Sequence, residues 1–264
     1  MKRKTRKVAI VTGGASGIGR AVCLKLFGEG HHVVVCDKNL KMAKTLAGER
    51  SRARVEMLPR YLDVTRPRQV EALFGEIFNR YGRIDILVNS AGITTPGTPL
   101  TGLSYSNFKK VIDVHVMGTF YCIKHAATHM IKGHFGRIIN ISSRAGIFGL
   151  YGKSNYSAAK AGMIGLSLAA AKELFDRGVT VNVIAPGGIR TPFSSPILQG
   201  IDAKERKLDL IVGEPEDVAN LVYFLTREES YLMNGAVILL DAGGHLWHGM
   251  DDTLLDMCRK SVKR

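Results

Sequence analysis

The run Val8-Ala9-Ile10-Val11 leads straight into Thr12-Gly13-Gly14-Ala15-Ser16-Gly17-Ile18-Gly19, and a helical pattern follows through Phe27. Four consecutive β-rich apolar residues suit a strand buried on both faces, as in a parallel sheet. Strand, glycine turn and helix in that order let backbone N–H groups and a helix N-terminus hold a pyrophosphate. Gly13, Gly17 and Gly19 do not make the G-x-G-x-x-G of the standard dinucleotide fingerprint. Tight packing of loop on strand is the competing use for such glycines.

The same alternation continues along the chain. His32–Cys36 reads as a second strand ending at Asp37, and Val55–Leu62 as a third ending in Asp63-Val64. Thr65-Arg66-Pro67 opens a helix to Arg80, and Ile84–Val88 makes a fourth strand ending in Asn89-Ser90-Ala91-Gly92. One long helix is expected from Ser104 through Met130, then a fifth strand, Arg137–Ile141, ending in Ser142-Ser143. A helix carrying Tyr156 and Lys160 runs to Asp176, and a sixth strand, Val179–Ile184, ends in Ala185–Pro192. A helix over Pro215–Thr226 and a last strand, Ala236–Leu240, close the pattern at Asp241-Ala242-Gly243-Gly244. Strands alternating with helices predict an α/β chain, a doubly wound parallel sheet of about seven strands covered on both faces. The glycine and polar motifs all fall at the C-terminal ends of strands, where such folds bind ligands. No repeat or linker divides residues 1–264, so one domain is expected, in keeping with its length.

Composition narrows the setting. Cys23, Cys36, Cys122 and Cys258 have no paired or zinc-like spacing and read as free thiols in a reducing compartment. His125 and His129 are four apart on a helix, but no acid or cysteine nearby completes a metal set, so no metal is expected. The longest apolar stretch, around Ala161–Ala171, is short of the ~20 residues that cross a bilayer. No signal peptide is read, and a cytoplasmic protein without a membrane partner is expected. The net charge of +14 comes from basic ends (residues 1–7 and Arg259, Lys260, Lys263, Arg264) and from helix surfaces such as Lys38, Lys41, Lys44, Arg50, Arg52 and Arg54. The basic stretches lack interleaved aromatics and match no nucleic-acid module, so they read as solvated surface, with no specific nucleic-acid partner expected.

Two features carry chemistry. Asp37 ends the second strand about 20 residues after the glycines, where a carboxylate can accept hydrogen bonds from both hydroxyls of an adenosine ribose. It would repel a 2′-phosphate. Lys38 could receive that phosphate, whereas Ser16 offers no charge, so NAD is expected over NADP. Tyr156 and Lys160, four apart, share one helix face. A phenol titrates near pH ~10. A neighbouring ammonium should lower that value and let the tyrosine trade a proton near neutral pH.

With these motifs in this order, the chain resembles the classical short-chain dehydrogenases/reductases over about residues 7–244. The resemblance rests on Thr12–Gly19, Asp63-Val64, Asn89–Gly92, Ser143, Tyr156/Lys160, Pro186–Thr191 and Asp241–Gly244. It implies a Rossmann fold, a nicotinamide cofactor and oxidation or reduction at an alcohol or carbonyl carbon. Tyr156 would be the acid/base, Lys160 would lower its pKa and hold the nicotinamide ribose, and Ser143, thirteen residues before the tyrosine, would bond the substrate oxygen. Gly13, Ser16, Gly17, Ile18 and Gly19 would cradle the cofactor, and Asp63 and Val64 would flank its adenine. Asn89, Ala91 and Gly92 would line it, with Pro186, Gly187, Ile189 and Thr191 at the nicotinamide end.

One position departs from the family. Val114-His115-Val116-Met117-Gly118 places histidine where an asparagine is usual, and that asparagine is thought to steady a water reaching the lysine. An imidazole titrates near pH ~6.5 and can donate and accept. His115 therefore reads as a substitute relay, as a brake on turnover, or as the mark of a cofactor-binding sensor. Ser90, where a second asparagine is common, is a milder change. Residues 193–212, with Phe193, Ile197, Leu198 and Ile201, fall where the family closes a lid. Lys204, Arg206 and Lys207 there would suit an acidic substrate or solvent. The tail 245–264, with His245, Leu246, Trp247 and His248, is placed to reach a neighbouring subunit of a homotetramer. The activity expected is NAD-dependent interconversion of a secondary alcohol and its ketone. An NADPH-dependent reductase of 3-oxoacyl thioesters (ACP or CoA) is the alternative.

Overall fold

A computed structural model of the chain describes residues 6–48, 55–194 and 212–245. Its first half alternates β1 (Val8–Thr12), α1 (Gly17–Gly28), β2 (His32–Asp37), α2 (Leu40–Gly48), β3 (Met57–Tyr61), α3 (Pro67–Tyr81) and β4 (Ile86–Asn89). Next come α4 (Tyr105–Ile112), a π-helical turn over Asp113–Met117, α5 (Gly118–Lys132), β5 (Gly136–Ile141), the single turn α6 (Ala145–Phe148) and α7 (Ser154–Leu174). The chain then forms β6 (Val179–Pro186), β7 (Gly188–Ile189), β8 (Val212–Gly213), α8 (Pro215–Leu225) and β9 (Val237–Leu240).

Seven strands form one sheet in the order β3-β2-β1-β4-β5-β6-β9, while β7 and β8 pair apart from it. Every pairing in the large sheet is parallel. This is the doubly wound, Rossmann-type sheet that the alternation predicts. Successive side chains of a strand point to opposite faces, and here both faces are dry. Val8 and Ile10 join the helices α3, α5 and α7 through Phe74, Ile77, Cys122, Met130 and Leu174. Ala9 and Val11 join α1, α2 and α8 through Val22, Leu26, Leu46 and Leu225. Strand order reverses between β1 and β4, which opens a crevice at their C-terminal ends.

Three local features differ from the sequence reading. Regular β3 starts at Met57 and carries Pro59, which a sheet tolerates only at an edge such as this one. Lys7 is not solvated: it is buried, and its ammonium donates to the carbonyl of Thr226 at 3.0 Å. The expected helix from Ser104 to Met130 is broken by the π turn at Asp113–Met117, with His115 inside it. Periodicity over about seven turns hides one inserted residue. Such π turns gather at functional sites.

Candidate active site

The crevice begins at the glycine turn. Gly13 has φ +65°, and a Cβ there would stand 2.8 Å from the Cα of Ala91, so the loop meets the end of β4 backbone to backbone. Thr12 fixes that meeting, since its Oγ1 accepts the N–H groups of Ser90 and Ala91, each at 3.2 Å. Asp37 steadies the loop from the other side. One of its oxygens accepts the N–H of Ala15 at 3.1 Å and the other that of Asn39 at 2.8 Å. Each oxygen keeps a lone pair for a further donor.

Beyond β3, Asp63 turns toward the same end. Its Oδ1 accepts the N–H of Thr65 at 3.0 Å and its hydroxyl at 2.7 Å, and its Oδ2 meets the ammonium of Lys38 at 3.0 Å. Burial alone would raise the Asp63 carboxyl, but these bonds from Thr65 and Lys38 outweigh it and hold the group below its ordinary range.

At the opposite end lie the groups of α7. Tyr156 is pushed up to about 12 by burial, with a hydrogen bond from Ser143 pulling the other way. Lys160 is lowered to about 7, because its ammonium is wholly desolvated. Its Nζ donates to the carbonyl of Ile141 at 2.7 Å and stands 5.6 Å from the centre of the Tyr156 ring. The expected lowering of the phenol by the lysine is absent from this arrangement. Burial weakens the charge that would have produced it.

The two adjacent serines part company. Ser142 turns inward and donates to the carbonyl of Lys160 at 2.9 Å, while Ser143 faces the tyrosine and accepts the N–H of Ala145 at 3.1 Å. His115 is 1 % exposed and stands edge-on to Tyr156, with ring centres 5.5 Å apart. Its Nε2 sits 2.8 Å from the carbonyl of Ile93 and 3.1 Å from that residue's N–H, and its Nδ1 is buried without a partner among the described residues. Burial first, then the charge of Lys160, lowers it to about 3 despite the Ile93 bond. It stays neutral across the working pH range. The titrating relay expected from a free imidazole does not fit this environment.

One cavity of about 590 Å³ is bordered by every candidate catalytic or cofactor-binding residue except Gly19 and Asn89. Gly19 lies in the first turn of α1, beneath the loop. Asn89 instead begins a buried chain of polar groups that the sequence reading missed. Its Nδ2 donates to Asn140 at 2.8 Å, Asn140 donates to Ser167 at 2.7 Å, and Ser167 donates to the carbonyl of Met163 at 2.6 Å. This ties β4 and β5 to α7. Polar residues inside an apolar strand and helix were the available signal.

Pro186, Gly187, Ile189 and Thr191 form the far wall. The carbonyl of Pro186 accepts the N–H of Arg144 at 3.0 Å, and the side chains of Thr191 and Ser194 meet at 3.0 Å. Phe193 brings its ring to 6.1 Å from that of Tyr156. Lys153, at the mouth, bonds the Thr94 hydroxyl at 3.1 Å and the Thr95 carbonyl, pinning the loop after Gly92. His245 stacks on Phe148 and bonds Asp241 at 3.0 Å. The expected lid beyond Ser194, as far as residue 211, and the tail after His245 lie outside the described residues. His129 stacks on Phe78 with ring centres 4.4 Å apart, away from any chemistry.

The shape and donors suit a nicotinamide dinucleotide. The glycine loop meets β4 backbone to backbone along one stretch of the cavity, the carboxylates of Asp37 and Asp63 lie at one end, and the hydroxyls of Ser143 and Tyr156 lie at the other. The comparisons agree. The family model described as short chain dehydrogenase matches residues 7–202. A 3-oxoacyl-[acyl-carrier-protein] reductase FabG of Thermotoga maritima is 38% identical over 241 residues, which is 90% of this chain and 97% of the relative. The (2S)-[(R)-hydroxy(phenyl)methyl]succinyl-CoA dehydrogenase subunit BbsD of Thauera aromatica is 35% identical over 92% of this chain and 98% of its own. Among solved structures, levodione reductase superposes with a TM-score of 0.84 at 31% identity, covering 91% of this chain and 98% of that one. ElxO with NADP bound gives 0.83 at 33%, covering 90% and 98%.

Proposed function

Since the chain belongs to the short chain dehydrogenase family, and is therefore a dehydrogenase or reductase with a nicotinamide cofactor, we propose that it interconverts a secondary alcohol and its ketone with NAD. The observation that supports this reading is the placement of Ser143, Tyr156 and Lys160 around one end of a cavity whose other end presents Asp37 and Asp63. When bound, the cofactor accepts or supplies the hydride. The chain supplies a proton path and a fixed geometry.

The Ser143 hydroxyl orients the substrate oxygen and Tyr156 exchanges the proton with it. A phenol held near 12 is a poor base, so oxidation requires the ammonium of Lys160 to be charged and near it. Lys160 also keeps one donor for a ribose hydroxyl, since the Ile141 carbonyl and the Met163 Sδ take two of its three. His115, neutral and gripped by Ile93, holds the floor beneath the tyrosine. Asp37 with the paired Lys38 supports NAD over NADP, as does the uncharged Ser16. Calorimetric titration with NADH and with NADPH tests this, and tighter binding of NADPH overturns it.

A second reading is reduction of 3-oxoacyl thioesters, which is favoured by the named FabG relatives. Turnover of an acetoacetyl thioester with NADPH exceeding any with NADH would select it. For assembly we infer a homotetramer, supported by apolar side chains exposed along helices α4, α5 and α7, such as Tyr105, Phe120 and Leu168. Light scattering decides it. A cytoplasmic setting is in keeping with the finding that no helix among the described residues is long and apolar enough to cross a membrane.

A further inference from the structure

The ribose end of the cavity holds three charged side chains whose partners are unequal. Asp37 and Asp63 each carry a negative charge and Lys38 one positive charge, and Ser16 beside them carries none. Asp63 is the anchored member: its side chain is 13% exposed, and Thr65 holds its Oδ1 with two hydrogen bonds. Lys38 is the tethered one, with its side chain 67% exposed and its ammonium 3.0 Å from the free oxygen of Asp63. The pair is brought together by the sheet. Asp37 lies opposite Tyr61 in the parallel register of β2 and β3, so the residues just past each strand end emerge side by side.

We propose that Asp63 is a positioning residue for coenzyme choice, which acts by holding Lys38 away from the place where a ribose 2′-phosphate would lie. The inference rests on the reading that this end of the cavity takes the adenosine ribose. A lysine on a flexible stem next to Asp37 is otherwise a ready phosphate donor group. Tied to Asp63, it cancels one of two carboxylates and leaves one net negative charge at the site. A phosphate that drew Lys38 over would leave Asp63 uncompensated beside it. Coenzyme choice therefore depends on a residue that lies on β3's exit loop, 26 positions beyond the acid at the end of β2.

The test compares two variants that share an uncharged residue 63. Asp63→Asn keeps an oxygen for Thr65 and frees Lys38, and Asp63→Asn/Lys38→Met removes the freed amine. NADH and NADPH affinities are read by fluorescence titration and calorimetry, apart from any turnover. The single variant is expected to shift the NADPH-to-NADH affinity ratio toward NADPH by about tenfold relative to the double variant, the size of a charge-assisted bond to phosphate. Equal ratios in the two variants would overturn the proposal, and so would a ratio in Asp63→Asn unchanged from the native chain. If the asparagine variant folds poorly, Asp63→Ser repeats the comparison with a hydroxyl acceptor. A native chain that already prefers NADPH defeats the NAD reading but leaves the comparison between variants to be decided on its own.

Discussion

His115 and Tyr156 meet at right angles, the edge of one ring against the face of the other at 87°, with the imidazole held from behind by Ile93. The histidine is neutral because it is buried, not because its pH range has passed. Its folded value of about 3 lies below the ordinary 6.5. Below pH 6.5 the unfolded chain takes up a proton that the folded chain refuses, so stability falls as pH drops from 6.5 to 3 at up to about 1.4 kcal/mol per unit. His115→Asn removes this contribution. Chemical unfolding at pH 7, 5 and 4 should show the variant losing less stability than the native chain, and its turnover should be retained or raised. A large loss of turnover with native folding would show that the ring itself is needed.

Replacing Tyr156 by Phe removes the one hydroxyl able to trade a proton with the substrate while preserving the ring packed against His115 and Phe193. Turnover should fall by about a thousandfold or more. NADH affinity, read by fluorescence, should change less than about threefold, since one hydrogen bond at most is lost. Retained turnover would falsify the proton path.

Lys160 predicts a pH trend of the same sign as that of His115, in a more alkaline window. Its folded value of about 7 lies below the usual 10.5, so the unfolded chain binds the extra proton between those limits. Stability from this group rises as pH climbs from 7 to 10.5. Lys160→Met, free of the buried charge, should be more stable than the native chain at pH 6, with the gap closing by pH 10. It should also lose turnover. Thermal unfolding without cofactor across that range checks the sign.

Gly92 has no room for a side chain, because a Cβ would stand 2.6 Å from Cε1 of His115. Gly92→Ala should cost about 1–3 kcal/mol by overpacking. The same change in a His115→Asn background, where that ring carbon is gone, should cost much less. A double-mutant cycle on stability measures the difference, and simple additivity would show that the clash is relieved elsewhere.

Asn140 is 0% exposed and serves two neighbours at once, accepting from Asn89 and donating to Ser167. Asn140→Ala leaves both without their partner and should cost about 2–3 kcal/mol. Because the chain of bonds ends on α7, it should also lower kcat more than it weakens NADH binding. An unchanged kcat in a destabilised variant would make the network purely structural.

The sheet was legible because a glycine turn after a four-residue apolar strand, repeated alternation and polar strand ends all specify the same topology. The candidate site was legible for a related reason: in a parallel sheet every strand ends on one side, so Asp37, Ala91, Ser143 and Ile189, each at or just past a strand end, converge without any tertiary knowledge. What stayed hidden depends on distance in the chain or on burial. Lys38 and Asp63 pair because β2 and β3 are neighbours, and their adjacency follows from strand order, not from local sequence. The high value of Tyr156 and the low one of Lys160 come from desolvation, which the spacing of the two residues does not encode. The π turn adds one residue inside an uninterrupted helical pattern, and hydrophobic periodicity is too coarse to register it.

That extra residue also sets a constraint on length. At 3.6 residues per turn, each residue advances a helix by about 100°. A π turn takes up its extra residue within one widened turn, so the helices on either side keep their phase. Deleting one position in 113–117 would let the backbone close to an ordinary helix with Val111, Cys122 and Ala126 still facing the core. A deletion within regular α4 or α5 would instead turn one half against the other by that angle and take its apolar face out of the core, so this segment is the one place along the helix where the chain can lose a residue and keep its fold.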